Sequence, residues 1–303
     1  MAISRSQLVK ELEPGLNALF GLEYKRYENQ HAEIYATESS DRAFEEEVML
    51  SGFANAQVKG EGSGVSFDEA QETFTARYTH ETVALAFAIT EEAIEDNLYD
   101  RLASRYTKAL ARSMSNAKQV KAVEPLIQGL PTTDGFDSGD GVSLFNTSHP
   151  TVAGTFSNTL ATQADLNETS LEQSMIDIAA MTDERGLRIA ARGVKMIIPS
   201  ELQFTAERLM KSQGRTGTAD NDINSIVSMG MIPQGYRVNN YLTDSDAFYI
   251  ITDVPNGMKM FNRAPLTTAM EGDFDTGNVR YKARERYSFG VSDPRGIFGV
   301  EGV

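Results

Sequence analysis

Residues 41–124 read DRAFEEEVMLSGFANAQVKGEGSGVSFDEAQETFTARYTHETVALAFAITEEAIEDNLYDRLASRYTKALARSMSNAKQVKAVE, and this stretch decides the fold. An acidic segment punctuated by glycine, Asp41 to Tyr78, runs into an alanine-rich strand, Glu81 to Ile89. A long helix, Thr90 to Glu124, is predicted to follow directly. Ile94, Leu98, Leu102, Tyr106, Leu110 and Met114 recur every four residues, and Ala117 and Val120 extend the stripe. Thr90 is a suitable N-cap, Glu91 and Glu92 suit the positive end of the helix dipole, and Pro125 is expected to stop the helix. Thirty-five residues would span roughly 52 Å, whereas the mean globular helix has about 11–12 residues. A stripe in four-residue steps drifts around the helix. That favours a helix lying across a sheet over a long coiled coil.

Within the acidic segment, Ala43 to Ala56 and Phe67 to Tyr78 read as two strands joined by Lys59-Gly60-Glu61-Gly62-Ser63-Gly64. They carry few large apolar residues, so the hairpin lacks a core of its own and is marginal alone. It is expected to pack poorly on its own subunit and to be buried by a neighbour. In the next strand Val83, Leu85, Phe87 and Ile89 alternate with Ala84, Ala86 and Ala88. That pattern fits a strand buried on one face and closely approached on the other.

Outward from this stretch, Leu8, Leu12, Leu16 and Leu19 suggest one short N-terminal helix interrupted at Pro14 and Gly15. Leu126 to Leu166 reads as loop. A helix is predicted over Ser170 to Glu184, ending at Gly186, and a buried strand over Gly193 to Ile198. Pro199 breaks that strand, and Ser200 with Gln203 is read as a capping box for a helix through Leu202, Ala206, Leu209 and Met210. Gly214 to Asn224 reads as a polar loop, and Tyr236 to Leu242 and Ala247 to Asp253 as strands. Val279 to Phe289 alternates: Arg280, Lys282, Arg284 and Arg286 point one way, and apolar residues the other, with Glu285 the exception.

The chain has 303 residues, 41% of them hydrophobic, enough for a substantial core. No window approaches a membrane span, and Met1 to Lys10 lacks an apolar signal core, so the chain reads as cytoplasmic. The absence of cysteine excludes disulfides and thiolate metal sites. Net charge is −15, which repels nucleic acid and anionic membrane. The charge is uneven. Asp41 to Thr73 holds eight acids against two bases, whereas Arg280 to Val303 holds five bases against three acids. Glu45, Glu46, Glu47 and Glu61 on one segment and Arg280, Lys282, Arg284 and Arg286 on the other are therefore the candidate inter-subunit contacts.

Catalytic patterns are missing. His31, His80 and His149 fall in unrelated segments, and there is no HxxxH, GxSxG or P-loop. Ser148-His149-Pro150 lacks the flanking glycines of a nucleophile elbow, and His149 reads as a loop anchor. Asp134, Asp137 and Asp140 lack the alternate spacing and closing glutamate of a calcium loop, and read as a solvated turn. No catalytic, cofactor-binding or metal-ligating residue is assigned. A hydrolase would need paired carboxylates in a cleft, and no spacing suggests them.

Several local sequences carry a resemblance. Phe87-Ala88-Ile89-Thr90-Glu91-Glu92 with Glu95-Asp96-Asn97 is similar to the strand-to-spine junction of Mu-type head subunits. Leu144-Phe145-Asn146-Thr147-Ser148-His149-Pro150 is similar to their LFxxxHP segment. Pro199, Leu202, Ala206, Leu209 and Ser212 resemble their PxxLxxxAxxLxxS helix. Arg286-Tyr287-Ser288-Phe289-Gly290, then Asp293-Pro294-Arg295-Gly296, resembles their ending. In this order, over essentially the whole chain, the elements resemble the major capsid protein of tailed bacteriophages, with the Hong Kong 97 type fold.

The resemblance implies an α+β subunit of an icosahedral head shell enclosing double-stranded DNA. It implies an N-terminal arm over 1–40 and an extended E-loop hairpin over 41–80. A peripheral P-domain would comprise 81–129 and 255–303, with its spine helix at 90–124, and an axial A-domain 130–254. It also implies self-assembly into pentamers and hexamers, with a portal, a separate scaffolding protein and a possible decoration protein. Cofactors and membrane contacts are not implied, and Lys59, though at a loop tip, is not expected to cross-link. An encapsulin-like protein container shares these expectations except for its cargo.

Overall fold

The computed structural model describes residues 5–90, 92, 99–133, 135–214, 222–273 and 277–303. In chain order the elements are α1 (Arg5–Arg26), β1 (Ala36–Ser39), β2 (Phe44–Leu50), β3 (Glu72–Thr79), β4 (Glu81–Ile89) and α2 (Tyr99–Gln128). The hairpin β5 (His149–Thr151) and β6 (Gly154–Phe156) follows, then α3 (Glu168–Ala180), β7 (Gly193–Ile198), α4 (Gln203–Lys211) and α5 (Ser225–Met229). The chain closes with β8 (Tyr236–Val238), β9 (Phe248–Thr252), β10 (Met258–Gly272), β11 (Val279–Val291) and β12 (Ile297–Val300). No helix among the described residues is long and apolar enough to cross a membrane.

Two four-stranded sheets organise the chain. The first has the order β1-β10-β11-β4, the second β12-β9-β7-β8. The sequence-based division is therefore crossed twice: β1, expected in the N-terminal arm, pairs with β10, and β12, expected with the first sheet, pairs with β9.

The long helix covers one face of the first sheet. Ala103, Leu110, Ala111 and Met114 of α2 meet Ile89, Tyr281 and Ala283, with Leu16 and Phe20 of α1 in the same cluster. Two prolines act differently from the sequence reading. Pro14 lies inside a continuous 22-residue α1. Docking onto α2 and the sheet outweighs the lost backbone hydrogen bond, since tertiary packing supplies most of a helix's stability. Pro125 does not end α2, which continues to Gln128 because Val123 and Leu126 are fully buried on either side of it. The predicted start of this helix at 90–98, including Ile94, Leu98 and the Glu95-Asp96-Asn97 part of the strand-to-spine motif, falls largely outside the described residues. So do Asp134 and the middle of the 214–224 loop.

The second sheet holds its own core of Met196, Ile198, Phe248, Ile250, Phe298 and Val300 against α3, α4 and α5. Asn167 and Ser170 form the capping box of α3. The box expected at Ser200 is not made: Ser200 Oγ donates to Glu201, and a 3-10 turn leads into α4. The 15-residue β10 has no clean alternation in sequence. Pro265 sits where its register with β11 shifts, as proline in a sheet requires.

Candidate functional site

Two regions hold the chain's unusual chemistry: the acidic arm and the turns that join the two sheets. The arm is the pair β2–β3, shorter than predicted, with residues 51–71 carrying no strand. Its base is not loose. Tyr78 is buried edge-on against Phe261, with ring centroids 4.8 Å apart, and its hydroxyl meets Ser292 Oγ. Tyr78 packs directly on Gly290, where a Cβ would come within 2.6 Å of the ring. That contact explains the glycine after Phe289. Lys259, nearly buried, bridges Glu47 at 2.6 Å and Glu38 at 3.2 Å. Burial would lower its pKa, but the two carboxylates outweigh it and hold the ammonium above its usual value. The expectation of a hairpin that packs poorly on its own subunit thus fails at the base. A core forms there from residues distant in sequence.

The outer part of the arm is different. Val58 and Phe67 are essentially fully exposed, and Phe53 and Val65 are more than 60% exposed. Apart from hydrogen bonds across the loop, Arg185 ties this segment to the body: it pairs with Asp68 at 3.4 Å and donates to the Glu69 carbonyl.

The candidate contact residues divide accordingly. Glu45 accepts from Ser40, Glu46 lies 3.7 Å from Arg77, and Glu47 is held by Lys259. Glu61 is exposed at the tip. On β11, Arg280 pairs with Asp273, Lys282 and Arg284 are exposed, and Arg286 is half-buried. Antiparallel pairing places Arg280, Lys282 and Arg284 beside Ala88, Ala86 and Ala84 of β4. Directly paired residues share a face. The basic row and the small-residue row are therefore one open face, on the side of the sheet away from α2. Among the described residues Ala84, Ala86 and Ala88 are exposed, so the close approach expected on that face is not made there. Glu285, the exception in the alternation, is buried on the opposite face. There it accepts from Lys118 at 3.1 Å and Tyr24 at 3.2 Å.

The second region unites two motifs far apart in sequence. His149 is fully buried. Its Nδ1 lies 2.6 Å from Asp140 Oδ2, and its Nε2 lies 3.0 Å from Asn158 Oδ1. Asn158 donates to Leu144 O and Pro294 O. Phe156 is stacked between His149, at 4.8 Å, and the Arg295 guanidinium, at 4.1 Å. Arg295 donates to Glu184, Asp293 and Thr182 O. Burial alone would raise the Asp140 carboxyl, but hydrogen bonds from His149 and Ser138 hold it below its ordinary value. Burial dominates at Asp293 and raises it despite Arg295. Asp140 is therefore a buried hydrogen-bond partner and not part of a solvated turn, whereas Asp137 does cap its own loop through Gly139 and Gly141. Phe145 of the same motif lies under Gly299, where a Cβ would come within 2.6 Å of its ring. Arg295 is marked in the sequence through the Asp293–Gly296 resemblance, whereas no pattern in the sequence marks Asn158, Glu184, Lys259 or Lys118. Among the described residues no cluster of three or more metal-ligating acids or imidazoles occurs.

This architecture occurs in solved structures. It matches the virus-like particle from Pyrococcus furiosus with a TM-score of 0.55 at 10% identity, over 95% of this chain and 98% of that one. It matches the capsid of an empty GTA particle with 0.57 at 13%, over 90% and 89%, and the capsid of Myoviridae phage XM1 with 0.53 at 12%, over 89% of each. The class these likenesses define is the Hong Kong 97-like capsid fold. A family model described as phage capsid protein matches residues 72–300, and the chain belongs to that family. It is a structural major capsid protein of the head shell. No curated protein matches the chain.

Proposed function

We propose that this subunit builds pentamers and hexamers by laying the outer part of its acidic arm on the basic sheet face of the next subunit. The observation that carries the reading is the contrast along the arm. Its base is clamped to its own chain through Tyr78 and Lys259, while Phe53, Val58, Val65 and Phe67 stand in solvent. Large apolar side chains grouped on a loop mark a surface that another protein covers. Beside Ala84 and Ala86, Lys282 and Arg284 give an open face of opposite charge. Exposed ion pairs contribute only about 0–1 kcal/mol each, so the charges set register while the apolar residues supply affinity. By the same reading residues 36–89, 99–129 and 255–296 form the peripheral part and 130–254 with 297–303 the axial part. Scaffolding, portal and decoration proteins are the further partners, assembly takes place in the host cytoplasm, and no residue is catalytic.

Charge reversal tests the docking. Glu46 and Glu47 have intrachain partners, so the informative pair is Glu61→Lys with Glu69→Lys. Fewer shells by electron microscopy, with partial recovery on adding Lys282→Glu and Arg284→Glu, is the expected result. Normal assembly of the first pair at low salt would count decisively against it.

A further inference from the structure

In a chain of net charge −15, α2 has no acid between Asp100 and Glu124. From Arg105 to Lys121 its bases are of two kinds. Lys118 and Lys121 are neutralised by Glu285 and Glu81. Arg105, Lys108 and Arg112 are exposed, and none of them forms an ion pair among the described residues. Spacings of three and four residues place these three on one face, over about 10.5 Å at 1.5 Å per residue. The buried face of the same helix, Ala103, Leu110, Ala111 and Met114, lies on the other side against the sheet. The stripe therefore points away from the basic row of β11, and the two basic surfaces serve different partners.

We propose that Arg105, Lys108 and Arg112 contact the phosphate backbone of the enclosed DNA. The proposal rests on the chain being a shell subunit. Charge density selects DNA over the acidic arm of another copy. Double-stranded DNA carries one negative charge per about 1.7 Å of axis, so about six phosphates pass a 10.5 Å stripe. The loop 51–71 offers Glu61, Asp68 and Glu69 over nine residues, and Asp68 is already paired to Arg185. Two of the three cations are arginine, whose planar fork matches phosphate oxygens. The contact is blind to sequence and weak per subunit. Repeated over a shell it holds the outermost DNA, while the acidic surface elsewhere prevents adhesion.

Lysine acylation of DNA-filled and emptied heads, with mass-spectrometric readout, tests this directly. Lys108 is expected to be protected several-fold in filled heads and reactive in emptied ones, with Lys282 unchanged by filling. Equal protection of Lys108 in both would make the stripe a subunit contact and overturn the proposal; equal reactivity in both would do the same. A second measurement titrates random-sequence duplex DNA against opened shells at several salt concentrations. Replacing Arg105, Lys108 and Arg112 together with glutamine should lower the slope of log K on log salt by about 2.7, and replacing Lys282 and Arg284 should not. An unchanged slope in the helix variant refutes the contact. If wild-type protein forms no shells, the shell reading fails, and the same titration on dispersed subunits still decides the stripe.

Discussion

The arm tip and the His149–Arg295 junction are both rich in polar residues, and they are built on opposite rules. In the junction the polar and charged side chains have been taken out of water and matched: His149 with Asp140, Arg295 with Glu184 and Asp293. At the tip, residues 51–71 keep their acids in water and expose apolar side chains instead. Burying unpaired charge is costly, so the junction tolerates no missing member, whereas the tip has little intrachain packing to lose. The difference separates what holds a subunit together from what holds subunits to each other. A capsid protein needs a rigid body to set angles and a weakly committed extension that finds its binding energy on a neighbour.

The sharpest way to break this contrast is Arg295→Ala. It strands the Asp293 and Glu184 carboxylates in the interior and removes the cation from the face of Phe156. A loss of about 3–5 kcal/mol is expected, read as a lower urea midpoint or as failure to fold. An unchanged midpoint would show that the junction does not hold the body.

A smaller effect sharpens the same point through pH. Burial first, and Lys118 second, lower the His31 pKa to about 4 from 6.5. Its Nδ1 lies 3.0 Å from Gln119 Nε2, a contact that suits a neutral ring. The unfolded chain therefore takes up the proton first. Stability is fully present above about pH 6.5 and falls as pH drops toward 4, by on the order of 2–3 kcal/mol. His31→Gln should flatten that part of the stability curve in denaturant titrations at several pH values. An unaltered slope would place the acid sensitivity elsewhere.

The smallest effect on the subunit belongs to the tip. Phe67→Ser should leave subunit stability within about 0.5 kcal/mol, since the ring is almost wholly exposed. Light scattering should nonetheless show impaired assembly. A large drop in subunit stability would mean that the tip packs on its own chain.

Local spacing alone makes much of the fold legible. The helical period of α2, the alternation of β11, the acidic glycine-rich hairpin and the buried run Gly193 to Ile198 are each set by neighbours a few residues away, and periodicity reports such neighbours; the predicted stripe of α2 holds at Leu110 and Met114, whereas Tyr106 and Val120 are exposed. The quoted motifs Leu144 to Pro150 and Asp293 to Gly296 were visible as resemblances, but their reason was not. Only folding brings His149, Phe156 and Arg295 into one stack. The same holds for Lys259, which decides that the arm's base is clamped, and for Lys118, which makes a buried Glu285 tolerable. Pro14 and Pro125 show the limit from the other side. Their local preference is to end helices, and burial of Leu16, Phe20, Val123 and Leu126 overrides it. The sequence determined by itself which segments are helical, extended, acidic or basic, because those are short-range properties of composition and order. Tertiary structure decided which charges are spent inside the subunit and which remain for its neighbours, because pairing a buried ion depends on groups that the chain supplies from more than a hundred residues away.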